Sequence, residues 1–324
     1  MSADIRVVAL SGGIGGAKLA LGLYRILPPD CLMVVCNTGD DFEHLGLSVS
    51  PDLDTVLYTL AGVANPETGW GRAGETWSFM AALEALGGET WFRLGDHDLA
   101  THVERTRRLA AGETLSAITD AFRTRLAVGA RIAPMCDEPV RTMVLSADGI
   151  LPFQRYFVER RCEPRVAGFE FRGAGKARPT PAVREALAAQ SLEAVVICPS
   201  NPFISVDPIL AVPGMRKAIA ACRAPVVAVS PVIGGRAIKG PTAKMMAELG
   251  MLASAKAVAD HYAGLLDGFV LDAADGAEAA AIGLPCLATR TLMTSENDKR
   301  ALAAEVLAFA RRIGKADRRR AATS

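Results

Sequence analysis

Short apolar runs recur along the chain, and most are followed by a glycine or acidic turn and then by helical spacing. Residues 5–11 (IRVVALS) read as a buried strand that stops at Gly12-Gly13-Ile14-Gly15-Gly16. Apolar positions at Ala17, Leu19, Ala20, Leu23, Ile26 and Leu27 then follow a helical period. A second apolar run, Leu32–Cys36, leads into Asn37-Thr38-Gly39-Asp40-Asp41. Strand, glycine turn, helix, strand and acidic loop open a nucleotide-binding α/β domain. A helix capped by Ser50 or Asp52, with Pro51 in its first turn, is expected to run to about Ala61.

Helical patterns then follow one another: residues 76–86, 99–110 and 110–125, the second opened by Gly95-Asp96-His97-Asp98. They are too long for a simple crossover and predict a helical insertion or lid over about 62–130. Residues 140–145 and 152–159 read as strands. The alternation resumes with a helix at 181–190 and strands at 194–198, 225–230, 268–271 and 285–288. A last helix is expected from Ser295 to about Ile313. The prediction is a single α/β domain, a Rossmann-like and mostly parallel sheet, ending near residue 315. The residues from 316 on read as a basic, disordered tail.

The glycine turn satisfies neither common phosphate-binding motif. A dinucleotide fingerprint places Lys18 where its third glycine belongs and Asn37 where an acid should end the second strand, which argues against a dehydrogenase. A Walker A loop meets Ala17 in place of glycine and Leu19 in place of Ser/Thr. The turn still offers glycine backbone and a helix N-terminus to a phosphate. Asp40, Asp41, Asp52 and Asp54 bracket one loop with His44 between them. Carboxylates converging beside phosphates point to Mg²⁺, although Asp52 taken alone reads as a helix cap. His97 and His102 are badly spaced for a metal pair on one helix and read as surface residues. Turns at Pro199-Ser200-Asn201-Pro202 and around Gly234-Gly235 fall at strand ends, where open α/β sheets bind ligands.

Composition narrows the function. The 324 residues are 50% hydrophobic and carry a net charge of +1, which gives no global case for nucleic acid or an anionic membrane. The basic stretch from Arg155 to Arg178 therefore reads as a solvated edge. No apolar run is long enough to span a bilayer. Seven cysteines without a C-x-x-C pair read as reduced core residues of a cytoplasmic protein.

Three stretches stand together with the glycine turn through Lys18: Asn37-Thr38-Gly39-Asp40-Asp41, Ser50-Pro51-Asp52-Leu53-Asp54-Thr55, and Gly95-Asp96-x-Asp98-Leu99-Ala100-Thr101-His102. With Pro199-Ser200-Asn201-Pro202 and Ser230-Pro231-x-Ile233-Gly234-Gly235, the chain closely resembles the 2-phospho-L-lactate transferase (CofD/FbiA) family from residue 5 to about 313. The resemblance implies coenzyme F-420 biosynthesis. There a ribityl hydroxyl of the deazaflavin Fo attacks the phosphorus of a guanosine diphosphate-linked three-carbon acid, and GMP leaves. The acid is 2-phospho-L-lactate, phosphoenolpyruvate or 3-phosphoglycerate.

On that reading Gly12, Gly13, Gly15, Gly16 and Lys18 hold the diphosphate, with Asn37 and Thr38 beside it. Asp40, Asp41 and Asp54 hold Mg²⁺ and supply the catalytic carboxylates. Ser200, Asn201, Gly234 and Gly235 hold the guanosine end, while Trp70, Trp77 and the stretch from Asp96 to Asp98 line the deazaflavin slot. The family also implies a homodimer. The competing expectation is a regulator that binds a UDP-sugar and needs no slot for Fo.

Overall fold

The computed structural model describes residues 5–237 and 240–314. From the N-terminus come β1 (Val7–Ser11), α1 (Gly13–Ile26), β2 (Leu32–Cys36), a hairpin of β3 (Phe42–His44) and β4 (Leu47–Val49), and α2 (Pro51–Ala61). The insertion supplies α3 (Ser78–Ala85), α4 (Asp96–Ala110) and α5 (Leu115–Arg125) before β5 (Arg131–Pro134). Next are β6 (Arg141–Ser146), β7 (Gly149–Pro152), β8 (Val166–Arg172), α6 (Pro181–Ala188), β9 (Ala194–Ile197), α7 (Asp207–Ala211) and α8 (Met215–Ala221). The chain closes with β10 (Val226–Val229), β11 (Val232–Ile233), β12 (Arg236–Ala237), α9 (Thr242–Glu248), α10 (Ala255–His261), β13 (Gly268–Asp272), β14 (Cys286–Thr289) and α11 (Glu296–Ile313).

Seven strands form one parallel sheet in the order β14-β13-β10-β9-β1-β2-β5. β1, β2, β9 and β10 are buried along their whole length and rich in Val and Ile, as expected when both faces are covered. One core lies between the sheet and α1, α2 and α11; a second joins the other face to α6, α8 and α10. The strand order reverses between β1 and β9, so the crevice for a ligand opens at their carboxyl ends.

Some expectations needed correction. β5 escaped the apolar-run reading because it is four residues long, begins with Arg131 and ends in Pro134 at the sheet edge. Residues 152–159 do not form a strand: β7 ends at Pro152, and a helical turn covers Arg155–Glu159. The basic stretch contains β8, which pairs with β6 in a three-stranded antiparallel sheet. Its arginines meet acids at the surface, Arg155 with Glu89 and Glu159, Arg160 with Asp148, Arg172 with Glu170. The expected basic tail lies outside the described residues.

Candidate active site

β1 delivers the chain to the switch point, where Gly12 is extended and Gly13 turns at a φ of +62° to start α1. Packing explains the other glycines. A Cβ on Gly15 would stand 2.3 Å from the Pro199 carbonyl oxygen, and one on Gly16 would stand 2.6 Å from Ser200 Oγ. The glycine turn and the 199–201 turn are thus pressed together. The Ser200 hydroxyl locks them by donating to the Gly12 carbonyl at 2.9 Å.

The acidic loop closes on the same point. The Gly13 N–H donates to Asp52 Oδ1 at 2.7 Å, and the Asn37 amide donates to Asp52 Oδ2 at 2.9 Å. Asn37 also donates to the Ile204 carbonyl and accepts the Gly39 N–H, so its side chain joins three segments. Burial pushes the Asp52 carboxyl up to about 6, against the opposing hydrogen bonds. Burial, and then the charge of Asp52, hold Asp40 well above the usual carboxylate range. Asp40 Oδ1 is buried with no hydrogen-bond partner.

The structure separates the four carboxylates. Asp52 is bonded at the glycine turn, and its charge acts on Asp40. Asp41 accepts the Ser50 hydroxyl at 2.7 Å and lines a cavity of about 100 Å³ with Thr38, Ser48, Asp137 and Arg141. Burial pushes Asp41 up to about 7. Asp54 forms a two-pronged ion pair with the buried Arg105 of α4. The sequence assigns the cation to Asp40, Asp41 and Asp54; the carboxylate bonded to the α1 N-terminus is Asp52.

Other candidates have partners inside the fold. Lys18 donates to the Met293 carbonyl at 2.9 Å. Thr38 is buried against Cys136. The Asn201 side-chain oxygen accepts the Phe203 N–H, and its amide reaches Met245 Sδ. Gly234 and Gly235, at φ values of +58° and +69°, form the two-residue tip of the β11–β12 hairpin. Asp96 accepts the N–H groups of Ser78 and Phe79 at the start of α3, and Asp98 lies 2.7 Å from the Tyr58 hydroxyl. Trp77 is part-exposed, with Arg93 over its ring at 4.1 Å. Trp70 is 48% exposed in a loop that reaches Ile14 at the start of α1.

A family model described as 2-phospho-L-lactate transferase CofD matches residues 7–298. The chain belongs to this family. It is 43% identical over 318 residues to a phosphoenolpyruvate transferase of Streptomyces griseus, covering 95% of this chain and 99% of the relative. It is 39% identical over 300 residues to a 2-phospho-L-lactate transferase of Methanosarcina mazei, covering 92% and 98%. Among solved structures, a member of the UPF0052 family from Bacillus halodurans superposes with a TM-score of 0.64 at 16% identity, over 94% of this chain and 98% of that one. That likeness concerns the fold alone. This CofD-family chain is a transferase, and no described helix is long and apolar enough to cross a membrane.

The site holds residues that the sequence reading passed over. Arg105 is buried, and so is His102, which the sequence places at the surface. The available signal was spacing: Asp98, His102 and Arg105 stand at i, i+4 and i+7 on one face of α4.

Proposed function

We propose that the chain transfers a phosphoenolpyruvate group from its guanosine diphosphate-linked form to the ribityl hydroxyl of Fo, releasing GMP and forming dehydro-F-420-0. The observation that carries this is the meeting of the α1 N-terminus with the buried Asp40–Asp52 pair at the switch point. The choice of acid follows the Streptomyces relative's name.

Phosphoryl transfer asks the protein mainly for positioning and charge neutralisation. The first-turn N–H groups of α1 after Gly13 would meet the diphosphate. Mg²⁺ fits the acidic pair: Asp40 Oδ1 lacks a partner, and burial and the charge of Asp52 raise the Asp40 carboxyl, a setting that favours a cation. Asp40 and Asp52 would hold it, and when bound it would neutralise the oxygens of the transferring group. Asn37 keeps Asp52 turned toward the glycine loop. The hydroxyl proton passes to a carboxylate of this loop. Because Ser200 and Asn201 are bonded within the fold, the 199–201 turn offers the nucleotide its backbone and shape. Trp70, exposed beside Ile14, offers a face for the planar acceptor. We also infer a cytoplasmic setting, supported by cysteines that form no disulfide, and a homodimer, which rests on the family alone.

The test is a transfer assay. Purified protein, Mg²⁺ and Fo are incubated with the guanylyl adduct of each of the three acids, and products are read by mass spectrometry. A phosphodiester of Fo from the phosphoenolpyruvate adduct is expected. A product from another adduct corrects the donor. No product from any adduct, together with tight UDP-sugar binding, overturns the enzyme reading.

A further inference from the structure

Arg105 is the only lysine or arginine among the described residues that is buried. It comes from α4 of the insertion, and its guanidinium works at three places. It grips both oxygens of Asp54 in the first turn of α2. It donates to the Ser48 carbonyl of β4 at 3.3 Å, and it stands 3.3 Å from His102 Nδ1. His102 Nε2 in turn lies 3.3 Å from Asp98 Oδ2. Asp54, Asp98 and His102 bring three ligand-type atoms within 4.8 Å of one another, a grouping that could hold a metal ion. A guanidinium already stands against that grouping, which makes it an ion-pair site.

We infer that Arg105 is a positioning residue: it fixes the first turn of α2 so that Asp52 stays on Gly13, with its charge acting on Asp40. This rests on the functional reading above. Asp54 lies two residues after Asp52, and its N–H donates to the Ser50 carbonyl at the start of the same turn. Ser50 Oγ donates to Asp41, so one turn of helix carries Asp52, the ion pair and the anchor of the acidic loop. A second contact aligns the same hairpin. Phe42 and His44 pack edge-on against Phe92 and Trp91 of the insertion, with ring centroids 4.8 and 5.1 Å apart. The Ser48 N–H also donates to Thr106 Oγ1 of α4 at 2.7 Å, so the insertion is clamped on the acidic loop at several points, and Arg105 is the charged one.

The test compares Arg105→Lys, Arg105→Met and the double variant Asp54→Asn/Arg105→Met. All are assayed well below their own melting temperatures, with folding checked by circular dichroism. Arg105→Met is expected to lower kcat about 10- to 100-fold and to raise the Mg²⁺ concentration for half-activation, because misplaced supporting groups cost about that much. Arg105→Lys reaches Asp54 but lacks the fork, and recovers part of kcat. The double variant removes the unpaired buried charge and regains melting temperature without regaining kcat. Parent-like kcat and Mg²⁺ dependence in folded Arg105→Met, or full recovery of kcat in the double variant, would reduce Arg105 to a structural ion pair and overturn the inference. If the parent itself makes no product, the functional reading fails separately. Calorimetric binding of Mg²⁺ to the same variants then decides on Arg105: unchanged affinity in Arg105→Met overturns it, and weakened affinity supports it.

Discussion

The Gly13 N–H donates to Asp52 Oδ1 at 2.7 Å across 39 residues of sequence. The first donor of the α1 N-terminus is therefore spent on a carboxylate of the protein. What it gains is orientation. Asp52 is held by Gly13 on one oxygen and Asn37 on the other, and its charge acts on Asp40 before any substrate arrives. A diphosphate would meet the next N–H groups along the helix, with the acidic pair at its side.

The glycine turn predicts two different substitution costs. Gly13→Ala places a Cβ in open space but at a φ of +62°, which costs about 1–2 kcal/mol. Gly15→Ala drives a Cβ to 2.3 Å from the Pro199 carbonyl oxygen, and backbone must move. We expect about 1–3 kcal/mol or more for it, with transfer activity lost as well, because the two turns of the switch point separate. Urea unfolding of both variants checks this. Gly15→Ala no less stable than Gly13→Ala would contradict the packing account.

Asp41 predicts a pH effect on stability. Its folded pKa of about 7 lies above its ordinary value of 3.8, so the folded state binds the proton more tightly. The resulting stability is fully present below about pH 4 and is lost as pH rises through 7. Asp41→Asn removes that titration. In EDTA, the stability of the variant relative to the parent should rise between pH 4 and 7, by on the order of 4 kcal/mol, and level off above about pH 8. Denaturant midpoints across that range provide the measurement. A flat difference would show that burial does not hold Asp41 protonated.

Trp70 predicts a selective effect on the acceptor. Its ring is half exposed, and its loop touches the start of α1. Trp70→Ala should raise KM for Fo several-fold, since stacking on an aromatic is worth about 0.5–1.5 kcal/mol, and should leave KM for the guanylyl donor unchanged. Equal increases for both substrates would remove Trp70 from the acceptor face.

Much of this architecture was legible in the chain. Runs such as VVALS and LMVVC are apolar on both faces and mark central parallel strands; the glycines after Ser11 mark the turn that opens the site. β5 and the β3–β4 hairpin were not legible. β5 is short and charged at its start, and the hairpin turns through Leu45 and Gly46 at positive φ, which the residue type of Leu45 does not announce. Within the site, the sequence showed that four aspartates bracket one loop. It did not show which would face which. Asp52 and Asp54 share the first turn of α2, and two residues of helical rotation aim one at Gly13 and the other at Arg105. That choice depends on α4, more than 40 residues later in the chain.

The central claim is that the Asp40–Asp52 pair is the reacting centre. The most direct measurement is the rate of Fo phosphodiester formation by Asp52→Asn beside the parent, at saturating Mg²⁺ and guanylyl donor, with melting temperatures recorded for both. The asparagine carbonyl still accepts the Gly13 N–H, while its amide meets the Asn37 amide, a lost hydrogen bond that costs about 1–3 kcal/mol. The account predicts a lowered melting temperature and, assayed well below it, a rate lower by about 100-fold or more. A folded Asp52→Asn with the parent's rate would contradict it.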